Sequence, residues 1–196
     1  MSAMTRPGGR TARVRRAVLR AAGDLLAEAG LQGADLATVA RDAGVGKSTV
    51  YRRWGSTPAL IADLLVEMAD ESSPRARTGS LAGDLRANAL LVQRTLDDRR
   101  QGRLFAAIIA AATAEPETAQ ALERFYDTRI AEWTPCVDEA IARGEAPAGT
   151  DGAAVIRAVS APLYYHLLTR TDPIGRDRAT LAADAAACAA RAGIFT

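Results

Sequence analysis

The chain of 196 residues is long enough to bury a sizeable core, as one large or two small domains, and it is poor in aromatics. Several segments carry a 3.6-residue apolar period and none alternates as a strand would, so the class is all-α. The net charge of +2 hides an asymmetry, since residues 1–53 hold ten Lys or Arg against four acids and the remainder holds fifteen against nineteen. A basic module followed by a mildly acidic one implies a polyanionic partner for the first and a different role for the second. Cys136 and Cys188 are isolated, which excludes a disulfide framework and suits a reducing cytosol. No apolar run approaches the roughly 18 residues of a membrane helix, and the N-terminal arginines precede no signal-peptide core, so a cytoplasmic protein is expected.

Residues 1–10 contain Pro7, Gly8 and Gly9 and read as a basic flexible arm. Arg6, Arg10, Arg13, Arg15, Arg16 and Arg20 give the first twenty residues six positive charges and no acid. Beside a reading helix such a run supplies phosphate contacts, for which Arg13 and Arg16 are the chosen candidates. Val14, Val18, Ala21, Leu25 and Ala29 recur at spacings of three and four, predicting an amphipathic helix over 11–29 that Gly30 ends.

Residues 36–54 read as helix, tight turn and helix. Leu36, Val39, Ala40 and Ala43 form one apolar stripe behind Asp35, a good N-cap, and Gly44 supplies the left-handed residue that lets the chain reverse. The second helix turns Val50 and Trp54 inward. Lys47, Ser48, Thr49, Tyr51, Arg52 and Arg53 remain outside, a set of hydroxyls, cations and one aromatic that suits phosphate oxygens and base edges in a major groove. Thr38 joins them from the first helix. The segment Gly46-Lys47-Ser48-Thr49 looks like the end of a phosphate-binding loop, but Arg41 stands where that motif needs Gly, and a helix precedes it instead of a strand. Ser56, Thr57 and Pro58 then start a connecting helix over 56–71, carrying Leu60, Ile61, Leu64, Leu65 and Met68, and residues 72–80 have the composition of a linker.

This order, from basic arm and helix through the Asp-capped helix, the Ala-Gly-Val turn and Ser-Thr-Val-Tyr-Arg-Arg-Trp to a capped connecting helix, resembles the DNA-binding domain of the tetracycline-repressor (TetR) family over about residues 11–70. The resemblance implies that Lys47, Ser48, Thr49, Tyr51 and Arg52 face the major groove, with Tyr51 on a phosphate. This chain departs from the family where Ala34 and Asp35 replace a usual Ser or Thr, and where Thr57 replaces a usual Lys.

Residues 81–196 resemble the family's regulatory domains, and the resemblance implies a ligand-binding and dimerisation domain. Helices are predicted over 81–98, with Leu85, Ala89, Val92 and Leu96 on one side, and over 103–114, apolar on nearly every face. A long helix over 115–143 should bend at Pro135, and two more run over 151–170 and 175–192, making about nine in all. Asn88, Val92, Phe105, Ile109, Phe125, Tyr126, Arg129, Trp133, Tyr164 and His166 are the candidate ligand contacts. Val159, Leu163, Leu167, Leu181, Ala185 and Cys188, on the last two helices, are the candidate dimer contacts, because alanine-rich helices approach closely. No nucleophile, base and orienter can be assembled, nor any metal cluster, so neither an enzyme nor a cofactor is expected.

The expected protein is therefore a homodimeric transcription regulator that binds double-stranded operator DNA and is released by a small-molecule effector. The alternative is a helical ligand-binding or scaffold protein whose helix-turn-helix serves only packing.

Overall fold

The computed structural model describes residues 7–196. Among them are ten helices: α1 (Pro7–Gly33), α2 (Leu36–Asp42), α3 (Lys47–Trp54), α4 (Thr57–Asp70), α5 (Leu81–Asp97), α6 (Arg99–Ala112), α7 (Pro116–Trp133), α8 (Pro135–Ala142), α9 (Gly152–Thr169) and α10 (Gly175–Arg191). One more helix appears than expected because the long seventh helix is divided at Thr134, just before the helix-breaking Pro135. Of the predicted arm, residues 1–6 lie outside the described residues, while 7–10 already belong to α1.

The chain forms two compact units. One gathers α1 to α4 with Arg103–Glu123, and the other comprises Glu71–Gly102 with Arg124–Thr196. Residues 103–123, expected in the C-terminal domain, thus cluster with the N-terminal helices.

In the first unit Val18, Leu19, Ala22 and Leu26 of α1 are buried, a face rotated from the predicted one, so that Leu25 is half-buried and Ala29 exposed. The helix breaks at Gly30, whose φ of 66° and ψ of −162° leave the helical ladder before one last turn. Asp35 caps α2 by accepting from the backbone N–H groups of Ala37 and Thr38, at 2.9 and 3.1 Å. At the other end Gly44 has φ of 65°, its N–H donates to the Arg41 carbonyl, and that of Val45 donates to the Ala40 carbonyl. These two bonds satisfy orphan carbonyls and reverse the chain into α3, as the sequence requires. The Ser56 hydroxyl accepts from the Ala59 N–H to start α4, which buries Leu60, Ile61, Leu64 and Leu65.

In the second unit α10 packs on α5 and α9, and α9 packs also on α5 and α8. Leu81, Leu85, Ala89, Cys136, Val137, Val155, Ile156, Val159 and Leu163 fill the core between them. Ala179, Ala183, Ala186, Ala187 and Ala190 of α10 are buried too, so much of its small-residue surface serves close packing within this chain. Residues 72–80 are no free linker. Arg75 pairs with Glu139 of α8, and the Thr78 N–H and hydroxyl both donate to Asp84 of α5. Helix α6 starts a turn earlier than predicted because Asp98 accepts from the N–H groups of Arg100 and Gln101 and caps it.

Candidate nucleic-acid interface

Helix α3 has eight residues, of which Val50 and Trp54 are buried. On its outer side Lys47, Ser48, Tyr51, Arg52 and Arg53 are exposed, Tyr51 by 49%, and Thr49 is half-buried. The helix carries no acid, so cations and hydroxyls cover an outward surface on about 12 Å of helix. The N-cap is Gly46, with no side chain over the first N–H groups.

Arg13 and Arg16 are exposed on α1. Arg15 is not available in the same way: its guanidinium meets Asp63 of α4 at 2.8 Å and also pairs with Glu67, one turn further along α4. The hydrogen bond to Asp63, with the charges of both acids, raises the Arg15 pKa. The basic run of α1 therefore divides, with Arg15 tying α1 to α4 while its neighbours face solvent. Arg20 lies 3.9 Å from Asp24 in a loose pair one turn apart. Thr38 is half-buried, and its hydroxyl is engaged by Asp35, whose carboxyl is held below the usual range by that bond and by the backbone N–H of Thr38.

Sequence reading overlooked Asp63. Its Oδ2 accepts from the Trp54 indole N–H at 3.0 Å and from Arg15 Nε at 3.1 Å, joining α1, α3 and α4 at one carboxylate. Burial works to raise its pKa, but the bonds from Arg15 and Trp54 outweigh this and the carboxyl lies below its ordinary value. The one available signal was the pair of acids four apart, Asp63 and Glu67, among the apolar residues of α4 ahead of its terminal Asp70. The Arg53 guanidinium sits 5.0 Å from the centre of the Trp54 ring, so this cation is held at the end of the reading face.

The candidate ligand contacts are divided between the units. Phe105 is buried and Ile109 half-buried in the first. In the second, Tyr126 meets Tyr164 edge to face at 5.3 Å and Phe125 at 5.5 Å. Burial pushes the Tyr126 hydroxyl up to about 12 and raises that of Tyr164. Arg129 pairs with Glu132. Asn88 Oδ1 and Trp133 Nε1 are buried without a hydrogen-bond partner among the described residues, whereas Val92 is half-buried. His166 is buried on α9. Its Nε2 lies 2.8 Å from the Asp172 carbonyl oxygen, in the turn between α9 and α10.

The candidate dimer contacts divide as well. Val159 and Leu163 are 0% exposed and belong to the chain's own core, so no partner can reach them. Leu167 is half-buried, whereas Leu181, Ala185 and Cys188 lie exposed along one face of α10, with Tyr165 and Leu168 exposed on α9.

No helix among the described residues is long and apolar enough to cross a membrane.

Residues 18–64 match the model of bacterial regulatory proteins of the tetR family, and residues 75–186 match that of the tetracyclin repressor-like C-terminal domain. The HTH-type transcriptional regulator YdeS of Bacillus subtilis is 29% identical over 160 residues, covering 81% of this chain and 80% of its own. The HTH-type transcriptional regulator AqdR of Rhodococcus erythropolis is 28% identical over 158 residues, covering 81% and 76%. Among solved structures, Salmonella enterica GusR superposes with a TM-score of 0.74 at 25% identity, covering 98% of both chains. With α3 presenting an acid-free face at the end of a Gly44 turn, and both family models matching in order, the chain belongs to the TetR family of DNA-binding transcription regulators.

Proposed function

We propose that the protein is a homodimeric repressor that leaves its operator when a small molecule binds the C-terminal unit. The observation that carries the DNA-reading part is the outer face of α3, where Lys47, Ser48, Tyr51, Arg52 and Arg53 stand exposed without an acid. Arg52 and Lys47 suit base edges and phosphates, the Tyr51 hydroxyl suits a phosphate oxygen, and Arg13 and Arg16 add backbone contacts from α1. Two copies related by a two-fold axis would meet through Leu181, Ala185 and Cys188, with Tyr165 and Leu168 alongside, and set their α3 helices roughly 34 to 36 Å apart. The unpartnered Asn88 Oδ1 and Trp133 Nε1, with the Tyr126 and Tyr164 pair, support a partly apolar ligand that carries hydrogen-bonding groups. Such a ligand acts only through its different affinity for the DNA-competent and incompetent states.

The test is selection of bound duplexes from sheared genomic DNA under excess unrelated competitor. A two-fold related pair of half-sites about 10 base pairs apart is expected. Arg52→Ala should weaken binding to the selected duplex about tenfold and lower the salt slope by about 0.9 per lost phosphate contact. Binding that selects nothing and vanishes with salt would instead favour the helical scaffold.

A further inference from the structure

We propose that Asp63 is a positioning residue for the recognition helix: it holds the Trp54 indole while Arg15 holds it, and so fixes the rotation of α3 and the DNA affinity of its outer face. This rests on reading α3 as the DNA reader.

Helix α3 is too short to be stable alone, and its buried side chains are Val50 and Trp54, four apart along one edge. Two apolar contacts on a single edge resist separation but leave the helix free to roll, because dispersion and hydrophobic contacts are not directional. A hydrogen bond at the far edge of the indole is directional and removes that freedom. Among the described residues, the Trp54 to Asp63 bond is the one side-chain hydrogen bond from α3 to another helix. The acceptor is itself fixed. Arg15 Nη2 takes Oδ1 at 2.8 Å and Arg15 Nε takes Oδ2 at 3.1 Å, a forked grip, and the remaining Nη1 reaches Glu67. The orientation passes outward as well as inward, since Arg53 lies over the Trp54 ring and is placed wherever the indole is placed.

The test uses the full chain and a duplex that the wild-type protein has selected from random-sequence DNA, with a scrambled duplex of equal length as reference. Affinities for both are measured for the wild type, Trp54→Phe, Asp63→Leu, which has no acceptor for the indole, and the double variant. Each single change should weaken binding to the selected duplex about tenfold while the scrambled duplex changes less than twofold. The double variant should be no weaker than the worse single, because both changes remove one contact. The indole N–H resonance of Trp54, distinguishable from that of Trp133 by its absence in Trp54→Phe, should shift in Asp63→Leu. Single variants within twofold of wild type on the selected duplex overturn the proposal, as do losses that multiply in the double variant or fall equally on both duplexes. If Asp63→Leu does not fold, Trp54→Phe decides alone, by the same tenfold or twofold result. A wild-type protein that selects no sequence overturns the DNA-reading assignment and this proposal with it, and does so before any variant is compared.

Discussion

Asp97, the last residue of α5, accepts the backbone N–H of Ile174 at 2.8 Å, and its second oxygen accepts that of Gly175 at 3.1 Å. One carboxylate thus caps the start of α10, which has no side-chain cap of its own, from 77 residues away in the chain. Burial pushes its pKa up, but the bonds from Gln93 and the two backbone N–H groups outweigh this and lower it. A lowered carboxyl pKa contributes stability above the unfolded value near 3.9, and that contribution is lost as pH falls through the folded value. Asp97→Ala is expected to destabilise the second unit by about 1 to 3 kcal/mol at pH 7, with the difference from wild type shrinking below about pH 4, as read by urea unfolding.

Arg15 and Arg16 are neighbours with different roles. Arg15→Ala strands the Asp63 and Glu67 carboxylates and should lower stability by about 1 to 2 kcal/mol, since the site is only partly buried. Arg16→Ala should leave the melting temperature within error and reduce DNA affinity with a shallower salt dependence. Thermal unfolding and a salt series on both variants separate the two roles, and an Arg16→Ala protein that melts early would contradict the assignment.

The two classes of candidate dimer residue also separate by experiment. Leu181→Asp places a charge on an apolar side chain that is 69% exposed on α10, so a folded monomer is expected by light scattering. Val159→Asp puts the same charge at a position with 0% exposure and should prevent folding. A Leu181→Asp protein that stays dimeric would move the interface elsewhere.

Cys136 is buried and Cys188 exposed. Burial pushes the Cys136 thiol up to about 12, so it carries almost no thiolate at neutral pH. With Cys188 in the proposed dimer interface, one thiol per chain is expected to react promptly with an aromatic disulfide reagent at pH 8 in the Leu181→Asp monomer, none promptly in the wild-type dimer, and two in denaturant. Prompt reaction of both in the native protein would show that the core around α8 opens.

Where a structural signal is local, sequence alone was sufficient. The Asp35 cap, the Gly44 reversal and the Ser56 cap of α4 all depend on residues within a few positions of one another, whereas Pro135, expected only to bend one long helix, divides it into α7 and α8. The outward face of α3 follows from the same kind of signal, since Val50 and Trp54 are the residues of that helix suited to burial. The α1 stripe was misplaced by part of a turn because alanines mark a helical face weakly, and Leu25 and Leu26 compete for the same side.

The sequence by itself determined an all-α chain with a helix, a tight turn and a basic second helix, because capping, glycine conformation and apolar period act over one or two turns. Only the tertiary structure decided which arginine of α1 faces solvent and which is bound to α4, since Arg15 and Asp63 are 48 positions apart and Arg15 and Arg16 are alike in sequence. It likewise turned the buried alanines of α10 inward onto the chain's own helices and left Leu181, Ala185 and Cys188 outside. A helix's period tells which residues share a face, but the partner of that face belongs to distant elements, and packing alone assigns it.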